Sequence, residues 1–180
     1  MTKAVSTAAK LKSGRVPYVP STVKRKVTTH TKVVLGVLEN ITIPEELWRS
    51  VKKTTIDLPA IDQHGLVQVG VPTEVLDKVL ASFVRLDEAE VLGAVGVSSR
   101  TVQRRKSGVL STEHSGAMLD LIAVTQKAMD VLGSREAAEN WLHQPALAFD
   151  GRRPIELLST RPGSEMVKEH LVRMDYGVYA

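Results

Sequence analysis

The polar and basic side chains between residues 98 and 106 are of the types that read DNA. Arginine forms paired hydrogen bonds to guanine and glutamine to adenine, while threonine bonds to base edges or to phosphates. Basic residues at the end of such a helix bind phosphates, and the helix N-terminus can donate to one as well. The alternative interpretation is a charged, solvent-facing side of a helical hairpin. The candidate DNA-binding residues are Ser98, Ser99, Arg100, Thr101, Gln103, Arg104, Arg105 and Lys106.

The elements that must position these residues are two short helices within residues 86–106. Gly96 can adopt the positive φ that a tight turn between helices needs, and Ser98 can cap the second helix. Gly96 and Ser98 are separated by one residue, and the apolar Val102 follows Ser98 by four positions. This spacing is typical of a helix-turn-helix. Leu92 departs from that pattern, because a small residue is common at its position. The expected buried seam consists of Val91, Leu92, Val95 and Val102.

No arrangement typical of a catalytic or metal site is visible. The five histidines stand at positions 30, 64, 114, 143 and 170, and no two are four residues apart as a helical zinc motif requires. The absence of cysteine excludes disulfides, thiolate metal sites and cysteine nucleophiles. We therefore expect neither an enzyme nor a bound metal or cofactor. The acidic residues 87–90 are interpreted as an exposed helix face, with Asp87 at the favourable N-terminal end.

The positive charge is concentrated at one end of the chain. Residues 1–53 contain eleven Lys or Arg and three Glu, a formal charge of +8, whereas residues 54–180 carry −4. A basic arm on an acidic body is typical of nucleic-acid contact, and a solubilising, partly flexible tail fits the same composition. The apolar runs are far shorter than the ~20 residues that cross a bilayer. We expect a cytoplasmic protein.

Helical periodicity dominates the chain from residue 72 onward. Residues 56–71 are instead rich in β-branched side chains and interrupted by proline and glycine, which predicts irregular structure or a weak hairpin. The chain is thus predicted to be all-α, with a basic N-terminal region (1–71), a helix-turn-helix domain (72–132) and a small helical C-terminal domain (133–180). The predicted helices begin at Thr73, Asp87, Ser99, Ser111 or Thr112, Ser134, Pro154 and Pro162.

The last third of the chain carries a dense series of helix-boundary signals. Trp141-Leu142-x-x-Pro145 is followed by Arg153-Pro154-Ile155-Glu156-Leu157-Leu158, and the chain closes on Gly177-Val178-Tyr179-Ala180. A short apolar, aromatic tail cannot fold alone, so it must dock on its own domain or on another protein.

These motifs, with the string from Arg100 to Lys106, resemble those of the Xre/MbcA/ParS antitoxins, the partners of RES-domain toxins in bacterial type II toxin–antitoxin systems. The resemblance covers about residues 72–180. It implies a homodimer that binds its toxin through the C-terminal part and represses its own promoter. The partner toxins consume NAD, and the C-terminal segment would cover their NAD site. A departure is Phe149-Asp150-Gly151, where the family often has glycine just before the Arg-Pro element.

The resemblance also implies which residues contact the toxin. A basic side chain could occupy the place meant for NAD phosphates, and tyrosine is a common interface anchor. The alternatives are internal: Tyr176 would pack on its own domain, and Arg153 would pair with Glu156. A different function is also open, a transcriptional regulator whose C-terminal domain only dimerises or senses a ligand. The candidate toxin-binding residues are Arg152, Arg153, Arg173, Asp175, Tyr176 and Tyr179.

Overall fold

The computed structural model describes Trp48, residues 57–104 and residues 108–177, without the side chains of residues 103 and 104. These residues form helices joined by short turns, and the only extended pairing described among them is an isolated bridge between Pro72 and Val109. The predicted all-α class is confirmed. None of the described helices is long and apolar enough to span a membrane. The predicted basic arm of residues 1–53 lies outside the described residues, except for Trp48.

The first described helices are α1 (Ala60–Val69) and α2 (Thr73–Ser82). The prediction of irregular structure or a hairpin over residues 56–71 was wrong, because α1 occupies most of that segment. It starts after Pro59, ends at Gly70 and buries Leu66 against the core. The prediction that Thr73 caps α2 was also wrong. Thr73 is the first helical residue, and its hydroxyl donates to the carbonyl of Gly108 at 3.1 Å.

The predicted pair of short helices is present as α3 (Glu88–Val95) and α4 (Ser99–Arg104). Gly96 has φ 74°, the left-handed conformation that reverses the chain between them. The Ser98 hydroxyl accepts a hydrogen bond from the Thr101 amide at 3.2 Å, so it caps α4 as expected. The first three residues of the expected seam are buried, and Val102 packs partly buried against them. The predicted extension of this helix to Lys106 lies outside the described residues.

The 21-residue helix α5 (Thr112–Leu132) lies at the centre of the fold. Ser111 caps its start by accepting from the His114 amide, and Gly133 closes it in the left-handed conformation. Helix α5 packs against α1, against α3 and against the two longer helices that follow it. Its buried residues Met118, Leu121 and Ile122 therefore belong to a core that the helices before and after α5 share.

The C-terminal part contains α6 (Arg135–His143), a 3-10 turn (Leu147–Phe149), α7 (Pro154–Leu157) and α8 (Arg161–Asp175). Thr160 caps α8 by accepting from the amide of Gly163 at 3.2 Å. A Cβ atom at Gly163 would lie 2.1 Å from the carbonyl oxygen of Leu157, so α7 and α8 approach this closely only with glycine there. Buried side chains from α1 to α8 form one hydrophobic cluster.

Candidate functional site

A compact loop over residues 146–152 presents one of the candidate arginines. The Ala146 amide donates to the Arg152 carbonyl, and the Gly151 amide donates back to the Ala146 carbonyl, both at 3.1 Å. Asp150 (φ 54°) and Gly151 (φ 77°) reverse the chain between these bonds. The Phe149-Asp150-Gly151 sequence thus builds a closed loop with defined ends, from which Arg152 projects exposed to solvent.

An aromatic cluster fixes this 146–152 loop to α8. The Phe149 ring is buried and meets the His170 ring edge-on, with 5.1 Å between centroids. The Trp141 ring of α6 stacks parallel to His170 at 6.2 Å. Burial lowers the pKa of His170, and the positive charge of Arg173, one turn further along α8, lowers it further. The cluster therefore packs the loop that carries Arg152 against α8.

The two adjacent arginines have different surroundings. Arg153 is only 30% exposed and forms ion pairs with Glu156 at 2.8 Å and with Glu90 of α3. The hydrogen bond to Glu156 raises the pKa of Arg153, and the same bond lowers the pKa of Glu156. The internal pairing of Arg153 with Glu156, the alternative that the sequence left open, is therefore present in the structure.

The end of α8 presents the other candidate residues of this group. Arg173 is exposed, whereas Asp175 pairs with Lys127 of α5. Tyr176 is 80% exposed, so its ring does not pack on its own domain as the alternative interpretation required. Met166 and Val172 are also exposed, and with Tyr176 they leave apolar side chains on the solvent side of α8. Tyr179 lies outside the described residues.

The candidate DNA-binding residues lie on and before α4. Ser98, Ser99 and Arg100 are exposed. Thr101 is partly buried, and its hydroxyl lies 2.9 Å from that of Ser98. The side chains of Gln103 and Arg104 are not described, and Arg105 and Lys106 lie outside the described residues. Within the described part of the chain, no group of three His, Asp or Glu could hold a metal ion.

Sequence reasoning missed two contributors to this arrangement. The acidic residues 87–90 were interpreted as an exposed face, but Glu90 is 13% exposed and binds Arg153 from a distance of 63 residues in sequence. In the sequence His170 is one of five scattered histidines, but its ring stacks on Trp141 and meets Phe149 edge-on. Nothing in the sequence signals the first contact. The proximity of Trp141 to Phe149 in sequence was a weak signal for the second.

Comparison with known proteins identifies the C-terminal part. Residues 127–177 match the family model of the antitoxin Xre/MbcA/ParS C-terminal toxin-binding domain. The chain is 29% identical over 140 residues to an Antitoxin Xre of Yersinia enterocolitica (74% of this chain, 90% of the relative). It is 27% identical over 131 residues to a Prs ADP-ribosylating antitoxin of Sphingobium sp. (67% and 82%). An Antitoxin Xre of Photorhabdus laumondii is 23% identical over 135 residues (73% and 89%). Residues 127–177 therefore match the C-terminal toxin-binding domain of the Xre/MbcA/ParS antitoxins, and the chain is similar to antitoxins over two thirds or more of its length.

Proposed function

We propose that this chain is an antitoxin that neutralises a RES-type, NAD-consuming toxin by covering the toxin's active site with its C-terminal segment. The observation that carries the proposal is the exposure of Tyr176, a large aromatic side chain at the end of α8, inside the region matched to a toxin-binding domain. An exposed tyrosine with a hydrogen-bonding tip is a typical interface anchor. Arg152 and Arg173 add exposed guanidinium groups that can bond carboxylates of a partner in pairs.

The remaining candidate residues take different parts in this proposal. Arg153 and Asp175 are engaged in ion pairs within the chain, so they would contact the toxin only by exchanging those partners. Tyr179 keeps the interface role that the family resemblance implies. The Sphingobium relative has ADP-ribosylation in its name, and NAD is the usual donor of ADP-ribose. A toxin acting on NAD is therefore the partner class that fits best.

Co-expression with the adjacent reading frame tests the toxin part of the proposal. We expect the full chain to restore growth and to co-purify with the neighbouring protein, and a chain ending at Arg173 to do both less well. Tyr176→Ala and Arg152→Ala should each weaken the complex by about tenfold or more, as for anchor residues elsewhere. The matched controls are Ile61→Ala, an apolar side chain of similar exposure in α1, and Arg161→Ala at the opposite end of α8.

If the neighbouring protein is harmless and nothing co-purifies, the toxin proposal fails. The chain would then be a transcriptional regulator whose C-terminal domain dimerises or senses a ligand. Equal losses in the two control variants would show instead that the weakening is not specific to the C-terminal surface.

We further propose that the chain represses its own promoter through α4, as a homodimer. The supporting observation is the left-handed turn at Gly96, which places Ser98, Ser99 and Arg100 exposed at the start of α4. Helix-turn-helix proteins present this part of the second helix to the major groove, and dimers bind two half-sites. The residues from Gln103 to Lys106 extend the proposed contact surface.

Titration of the promoter DNA tests this second part. Arg100→Ala should weaken binding by about tenfold, or reduce the slope of log affinity against log salt by ~1 if Arg100 contacts a phosphate. Arg161→Ala should leave both quantities unchanged. Unchanged affinity and slope in Arg100→Ala would exclude α4 as the recognition helix. The mass of the free protein in solution tests the dimer.

A further inference from the structure

A single carboxylate joins the α3–α4 helix pair to the region around the 146–152 loop. Glu90 lies in the first turn of α3, and its Oε1 atom accepts from the guanidinium of Arg153 and lies 3.2 Å from Nδ1 of His143. Its Oε2 atom accepts from the backbone amide of Asp87 at 3.1 Å, which caps α3. Glu90 thus connects α3, the end of α6 and the residue that follows the loop.

Arg153 is held from two sides, and this decides what it can do. Its Nε atom donates to Glu156 at 2.9 Å, while its Nη1 atom donates to Glu90. In the free chain, the carboxylates of Glu156 and Glu90 therefore already accept from the guanidinium of Arg153. Arg152, the preceding residue, is exposed and ends the loop through its carbonyl. Fixing the guanidinium of Arg153 therefore fixes the backbone from which Arg152 projects.

Glu90 contributes what Glu156 cannot. Glu156 is 50% exposed and belongs to α7, the four-residue helix that begins directly after Arg153, so their ion pair is local to the end of the loop. Glu90 is 13% exposed and belongs to a different helix. An ion pair shielded from solvent is screened less by salt than an exposed one. The Glu90 contact ties Arg153, and with it the end of the loop, to α3, in addition to the aromatic cluster that fixes Phe149 to α8.

The packing of α3 against α7 leaves a cleft beside the ion pair of Glu90 and Arg153. A cleft of about 250 Å³ separates the two helices beside the ion pair, lined by the small residues Ala89, Gly93 and Ala94 and by Ile155. Ala94 and Ile155 are buried, so α3 and α7 pack on each other, and the cleft opens to solvent beside that packing. The ion pair between Glu90 and Arg153 lines the same cleft.

We propose that Glu90, which lies outside the matched toxin-binding region, is a positioning residue for toxin binding: by anchoring Arg153 to α3, it sets the direction in which Arg152 meets the toxin. The inference rests on the proposed function above, because it concerns the same surface. It assigns Arg153 to the support of the loop and Arg152 to direct contact.

Glu90→Gln is the informative variant. The amide keeps the size of the side chain and an oxygen that can accept from the Asp87 amide, but it removes the charge that holds Arg153. Glu88→Gln is the matched control, because Glu88 lies in the same turn of α3 and is exposed. Thermal unfolding of each variant verifies that the fold is retained.

A double-mutant cycle in titrations of the full chain against its co-purified toxin separates positioning from general destabilisation. We expect Glu90→Gln to weaken binding about tenfold in the native background and to cost almost nothing in the Arg152→Ala background. Glu88→Gln should bind like the unmodified chain. Native affinity in Glu90→Gln, or the same loss in both backgrounds, would overturn the proposal.

Hydrogen exchange of the free chain gives a readout that needs no toxin. The amides of Ala146 and Gly151 should exchange faster in Glu90→Gln than in Glu88→Gln, because the loop loses its contact with α3 and keeps only the aromatic contact with α8. Unchanged exchange would overturn the positioning role. Faster exchange in a chain that binds no toxin would show that the anchor exists and that the proposed function is wrong.

Discussion

His170 is the titratable residue on which the candidate surface depends most directly. Its ring contacts those of Trp141 and Phe149, and both burial and Arg173 lower its pKa. The folded chain therefore takes up this proton at lower pH than the unfolded chain. As the pH falls through the ordinary pKa of histidine towards the lowered one, the free energy of unfolding must decrease, and above that window the contribution is constant.

We predict that Arg173→Gln raises the pKa of His170 towards its ordinary value, because it removes the second cause of the shift. The measurement is a titration of the His170 ring protons by NMR in both proteins, between about pH 4.5 and pH 8. His143→Gln serves as the control variant, since His143 is the last residue of α6 and its Nδ1 atom lies beside Glu90. A His170 titration that does not respond to Arg173→Gln would contradict the proposed electrostatic contact.

Single residues also show where sequence reasoning reaches its limit. Arg153 and Glu156 stand three apart, so their pairing on one helical turn was foreseeable. Arg153 and Glu90 are brought together only by the packing of α3 on α7, and no local pattern encodes that. The aromatic residues of the C-terminal part were visible, but their stacking on His170 depends on how α6 and α8 meet.

At the scale of elements, the junction of α7 and α8 depends on Gly163. We predict that Gly163→Ala destabilises the protein by about 1–3 kcal/mol, because its Cβ would overlap the Leu157 carbonyl and α7 would have to move. Gly116→Ala is the control: it is also a helical glycine, but its Cβ would lie 4.0 Å from the nearest atom. It should be neutral or stabilising by up to about 1 kcal/mol.

Urea unfolding of both variants measures these differences. A Gly163→Ala midpoint equal to that of Gly116→Ala would mean that α8 can shift away from Leu157 at no cost. The toxin-binding assay on the same variant should then show whether the position of α8 matters for the candidate surface.

The elements themselves were predictable where caps and periodicity agree. Ser111, Ser134 and Thr160 cap the helices they precede, and Gly96 and Gly133 end theirs in the left-handed conformation. Helix α1 was not predictable in this way. Its sequence mixes β-branched residues with a glycine and lacks an apolar stripe, so the burial of Leu66 against α5 overrides weak local preference.

At the scale of the whole molecule, one hydrophobic cluster runs from α1 to α8. Two tryptophans report on its two ends. Trp48 is buried, and its ring centroid lies 5.4 Å from that of Phe83. The ring centroids of Trp141 and Phe149 are 6.4 Å apart. Because the cluster is continuous, we predict that both ends unfold in a single transition.

Single-tryptophan variants measure this directly. Trp48→Phe leaves Trp141 as the fluorescent reporter, and Trp141→Phe leaves Trp48. Within each variant, the fluorescence and circular-dichroism transitions in urea should have the same midpoint. A fluorescence midpoint that departs from the loss of helix in either variant would show that the two ends unfold separately.

The central helix α5 also sets the distance between the elements at its two ends. Its 21 residues extend over about 31 Å, beginning beside the turn at Gly96 and ending at the start of the C-terminal part. It contains no proline and is continuous from Thr112 to Leu132, so it acts as a rigid spacer and not as a hinge. Two macromolecules seated at its opposite ends would be held at a constant separation and angle. Whether they touch or miss each other would then be decided by their own dimensions, which makes steric exclusion the natural means of communication between them.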